Sequence, residues 1–80
     1  MKPIAELDEV ALTAKLPMHG LARGDIGTVV LVVGNGNAYV VEFMTLTGKT
    51  IAVVTLEAGQ VRPLGEREVP NARRLELATA

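Results

Sequence analysis

Eighty residues weighing 8.5 kDa expose about 12,300 Å² unfolded and about 4,700 Å² folded by the surface scaling laws, so folding hides roughly 60% of the chain and leaves one small core. Hydrophobic residues make up 49%, yet only Tyr39 and Phe43 are aromatic, and 8 basic residues stand against 9 acidic ones for a net charge of −1. This excludes a two-domain enzyme with an interlobe cleft, and it leaves little of the positive charge and stacking surface on which nucleic-acid affinity depends.

The apolar mass is aliphatic and rich in valine, which favours strands over helices. Glu9 to Ala14 reads as a first strand, with Val10 and Leu12 on one face and Ala11 and Thr13 on the other. A long loop follows, punctuated by Pro17, Gly20 and Gly24, with Leu16 and Leu21 expected to tuck beneath it. Ile26 to Val33 and Ala38 to Met44 read as a hairpin joined by Gly34-Asn35-Gly36-Asn37, since Asn and Gly tolerate the positive φ that tight turns demand. Thr47-Gly48-Lys49 supplies the next turn, leading into a strand from Thr50 to Leu56.

Glu57 to Gln60 has room for a single helical turn of the 3-10 kind, and Val61 to Leu64 for one short last strand. Pro63 cannot donate to a ladder, which places that strand at an edge or ends it at once. The expected fold is therefore all-β: a small SH3-like barrel of about five strands over residues 1–64, with one 3-10 turn before the last strand. Residues 65–80 form a C-terminal tail, or a short docked helix over 72–78 capped by Asn71.

These segments resemble a small bacterial family catalogued as domain of unknown function 4926. The residues that carry the resemblance are Glu6 to Leu12, Leu16-Pro17, Gly20-Leu21, Arg23 to Val30, Ala38 to Phe43, Thr55 to Glu57 and Val61 to Leu64. The resemblance spans about residues 5–64 and implies an SH3-like barrel; a place in a small gene pair of the toxin–antitoxin or immunity kind is the further expectation it carries. More loosely, Gly20 to Val33 is similar to the KOW motif of ribosomal and transcription factors. Such modules are rich in Lys and Arg, whereas this stretch offers only Arg23.

Catalytic constellations are missing from the sequence. It contains no Cys and no Ser, which excludes disulfides, thiolate chemistry, Cys-ligated metals and a serine triad. His19 is the only histidine and reads as a solvated loop residue. Gly48-Lys49-Thr50 has the last letters of a phosphate loop but leads into a strand, and Phe43 stands where the motif needs its first glycine. Gly24-Asp25-Ile26-Gly27 reads as structural: glycines for positive φ or close approach, and Asp25 capping the turn with its carboxylate. No enzyme, cofactor, metal or small-molecule substrate is expected. The acidic start of the chain reads against a signal peptide, and the longest apolar run, Val29 to Val33, is far below the roughly 20 residues that cross a bilayer. A cytoplasmic protein with no membrane association is the expectation.

The informative feature is an excess of apolar residues. Val30 and Val32 oppose Val29, Leu31 and Val33 in the second strand, and Tyr39, Val41 and Phe43 oppose Ala38, Val40 and Met44 in the third. The fourth sets Ile51 and Val53 against Ala52, Val54 and Leu56. An antiparallel barrel alone in water shows a wet face, so something is expected to cover the second side. Val30, Val32, Val40, Glu42 and Met44, with Leu75 and Leu77 of the tail, are the candidate contact residues. The expected function is a non-enzymatic protein-interaction module that binds a protein partner or itself, in its most concrete form an antitoxin or immunity partner. The alternative is a KOW-like nucleic-acid module working through Arg23, Lys49 and Arg62.

Overall fold

Alternation and turn chemistry build the middle of the molecule, whose computed structural model describes residues 3–75. Five strands form: β1 (Glu9–Leu12), β2 (Ile26–Val33), β3 (Ala38–Met44), β4 (Thr50–Glu57) and β5 (Val61–Pro63). Gly34 and Gly36 turn β2 into β3 with φ of +62° and +95°, a region closed to most side chains, and the Asn37 N–H donates to the Val33 carbonyl at 3.1 Å. The β3–β4 turn closes on Thr45, whose N–H donates to the Lys49 carbonyl at 2.8 Å while its Oγ1 accepts from the Lys49 N–H at 3.0 Å.

All pairings are antiparallel and the strand order is β4-β3-β2-β1-β5. The last strand thus returns beside the first after a 3-10 turn over Ala58–Gln60, which is the plan of a small SH3-like barrel. β1 ends two residues before the expected Ala14. Thr13 is instead drawn to the 3-10 turn, donating its N–H to the Gln60 carbonyl at 2.9 Å and its Oγ1 proton to the Gly59 carbonyl at 2.6 Å. β5 stops at Pro63 and pairs only with β1, the edge placement that a residue without an N–H requires.

The long β1–β2 loop carries a second 3-10 turn, Pro17–His19, beyond the one expected. Pro17 opens it with its φ preset, and Gly20 ends it in the left-handed region. Leu16 and Leu21 bridge beneath this loop; Leu21 is buried and Leu16 packs against the core. The core itself is aliphatic around two rings: Val10, Leu12, Val29, Val41, Leu56 and Val61 with Tyr39 and Phe43. Among the described residues no polar or charged side chain is buried.

Two irregularities break the period of two. In β2, Val29 pairs with Val41 and Leu31 with Val40, so Val30 is an extra residue. In β4, Ala52 pairs with Phe43 and Thr50 with Met44, so Ile51 is extra and turns toward the core. Past β5 the described residues form no regular structure: the Asn71-capped helix does not form over 72–75, and 76–78 lie outside the described residues. A segment that short has too few turns to repay nucleation, and its side chains are engaged by the barrel instead.

Candidate functional site

The outer face of the β2–β3–β4 meander follows from the inward commitment of Tyr39, Val41 and Phe43. Their neighbours Ala38, Val40 and Glu42 then point outward, and the ladder sets Leu31 and Thr55 on either side of Val40, Thr28 and Val53 beside Glu42, and Val33 and Glu57 beside Ala38. Val53 is 57% exposed and Leu31 49%, with Val30 and Val33 close to 40%. Glu42 is held at this surface by the Thr50 hydroxyl, which donates to Oε2 at 2.7 Å. The result is a face on which open aliphatic side chains are interleaved with the Thr28 and Thr55 hydroxyls and the Glu42 carboxylate, more apolar than a wet sheet face.

β4 adds a second property, since it pairs with β3 on one side and closes the strand order on the other. Its eight residues, Thr50 to Glu57, contain no Lys, no Arg, no Pro and no charge before Glu57. Edge strands that must stay solitary normally carry such devices.

The structure divides the expected contact residues. Val30, Val40 and Glu42 share the outer face. Met44 and Leu75 lie elsewhere, both lining a groove at the end of β3. Val32 is a correction: it packs against the core, because the bulge at Val30 reverses the alternation and turns Val32 in. The same reversal brings out Leu31 and Val33, which simple alternation from Val29 assigns to the core. Five consecutive apolar residues contain no polar mark from which the reversal could be read. Leu77 lies outside the described residues.

The Gly24-Asp25-Ile26-Gly27 segment is structural in the expected way, with one addition. Asp25 Oδ2 accepts from the Ala22 N–H at 2.8 Å and caps the turn. It also receives Arg73 from the tail, whose Nε donates to Oδ1 at 3.1 Å and whose Nη2 contacts Oδ2 and donates to the Gly20 carbonyl at 3.2 Å. Partial burial pushes the Asp25 carboxyl up, but the Arg73 hydrogen bonds and the Ala22 amide outweigh it and leave its pKa below the ordinary value. A second pair, Arg62 with Glu68 at 2.6 Å, fixes the start of the tail. Hydrogen bonds from Arg62 and from the Gly65 N–H hold Glu68 down at about 2. The Asp25–Arg73 pairing has no signature in the sequence, since the two residues are 48 apart.

His19 sits exposed in the Pro17–His19 turn, and among the described residues no group of three His, Asp or Glu side chains is placed to hold a metal ion. Arg23, Lys49 and Arg62 fall on the β1–β2 loop, the β3–β4 turn and β5, with Arg62 engaged by Glu68. Among the described residues no helix is long and apolar enough to cross a membrane.

No curated protein and no solved structure gives a significant match to the chain. A family model described as "Domain of unknown function (DUF4926)" matches residues 6–63, which takes in all five strands, the β1–β2 loop and the final 3-10 turn, and stops where the tail begins. The chain is thus a member of the domain of unknown function 4926 family, and its barrel is that family's domain.

Proposed function

We propose that this protein is a non-enzymatic, cytoplasmic protein-interaction module that binds a protein partner, a second copy of itself included, by strand addition at β4 with the aliphatic face of β2–β3–β4 as the contact surface. One observation carries the reading: Val30, Leu31 and Val33 on β2 and Val53 on β4 are open to solvent on the sheet that ends at β4, an edge strand with no proline and no charge before Glu57. Main-chain hydrogen bonds along β4 would supply affinity, and the outward side chains selectivity. The sequence supports the non-enzymatic part, since it lacks Ser and Cys and has a single His. An antitoxin or immunity role in a small gene pair is its most concrete form, and coexpression with the adjacent gene tests it by growth rescue and complex formation.

Light scattering of the purified full chain, alongside affinity capture from its native cell, tests the general reading. The expected result is a mass above the monomer or a stoichiometric partner, lost in Val53→Lys, which sets a charge on the exposed edge without touching the core. A strict monomer at high concentration that captures nothing would overturn it.

A further inference from the structure

Among the described residues, 65–75 leave the outer face bare and cross a different part of the barrel. Arg62 and the Gly65 N–H both reach the Glu68 carboxylate and turn the chain back, after which 70–75 runs along a groove formed by Leu21, Ile26, Phe43, Leu46 and Ile51. A cavity of about 380 Å³ remains between tail and barrel, within the size range of ligand pockets.

The way the tail is held is informative. Among the described residues no backbone hydrogen bond joins 69–75 to the barrel. Val69 is 87% exposed, and the anchoring falls to Arg73 and Leu75. Arg73 lays two guanidinium nitrogens on the two oxygens of Asp25 and a bond on the Gly20 carbonyl, the planar fork by which arginine is told from lysine. Two residues further on, Leu75 is half-buried beside the apolar lining. Asp25 is already oriented by the Ala22 N–H, so the barrel presents a fixed carboxylate at the rim of an apolar trough whether or not the tail is present.

We propose that this groove is a recognition site for an extended protein segment carrying an arginine two residues ahead of a leucine, and that the chain's own tail occupies it until such a segment binds. The charge complementarity at Asp25 selects the arginine, and the apolar lining selects the leucine. The space left under the tail gives a competitor its advantage: the tail has the tethered effective concentration, typically millimolar, and a segment that fills the trough better can displace it. The groove takes Ile51 from the start of β4 but not Val53, so Val53→Lys leaves its lining intact and the two readings fail independently.

The test uses the full chain, isotope-labelled, in wild-type form and with its own anchors removed as Arg73→Ala/Leu75→Ala. The probe is a synthetic peptide with the sequence of residues 66–77. Saturable amide shifts are expected at Gly20, Asp25 and Phe43, with affinity at least tenfold tighter for the anchorless protein, because the wild-type tail competes. Peptides with alanine at the Arg73 or the Leu75 position should bind at least tenfold more weakly, and these substitutions cannot unfold the protein. No shifts in either protein at millimolar peptide, or equal binding by the alanine peptides, would overturn the proposal.

Discussion

A methyl group has no room at position 27. A Cβ there would lie 2.5 Å from Val41 Cγ1 and 2.8 Å from Phe43 Cε1, both belonging to fully packed side chains of the core. Gly27 is needed for close approach rather than for its backbone angle, which lies outside the positive-φ set. Gly27→Ala is therefore expected to destabilise by about 1–3 kcal/mol, the usual range for overpacking, and thermal unfolding should register it as a drop of several degrees. Leu7 presents the opposite case. It holds φ +73° in the Ala5–Asp8 turn, the one non-glycine in that region among the described residues, while its side chain is 78% exposed. A left-handed leucine carries about 1–2 kcal/mol of strain, partly offset in a glycine variant by the freer unfolded chain. Leu7→Gly should leave the urea midpoint unchanged or raise stability by up to about 1 kcal/mol; a clear loss would mean that the exposed leucine makes contacts worth more than its strain.

Among the elements, the tail is fastened by charge and the barrel is not. Both anchoring carboxylates titrate below their ordinary values, Glu68 from 4.5 to about 2 through Arg62 and the Gly65 amide, and Asp25 downward through Arg73 and Ala22 against the effect of burial. A depressed folded-state pKa adds stability that is complete above the unfolded value and disappears as pH falls through the folded one. Lowering the pH from about 4.5 toward 2 should therefore release 65–75 first, with Arg73 and Leu75 amides losing their docked shifts while those of Val29 and Val41 persist. Simultaneous loss of both sets would refute this order. The strands, by contrast, were legible in the sequence. β2 and β3 occupy the spans that the apolar runs and the Gly34 to Asn37 turn prescribe, because turn residues and alternation act over a few neighbours. What alternation could not reveal was the bulge at Val30, since Val29 to Val33 has no polar residue to mark a face.

At the scale of the whole molecule, the open aliphatic side chains and the β4 edge, uncharged as far as Leu56, set how association should respond to solvent. Contact through Leu31 and Val53 would be hydrophobic and main-chain in character, so the association should survive 0.5 M NaCl and strengthen in sulfate. Binding through the scattered cations Arg23, Lys49 and Arg62 would instead fall steeply with salt. Light scattering over a salt series separates the two, and loss of association in NaCl would count against the apolar surface. Turn chemistry and period-two patterning are local, so residue order alone yielded an all-β chain and the spans of β2 and β3. Which valines meet water, and that Arg73 crosses 48 residues to Asp25, depend on how strands register and where a tail returns. Those are long-range choices, settled only when distant segments compete for the same small core.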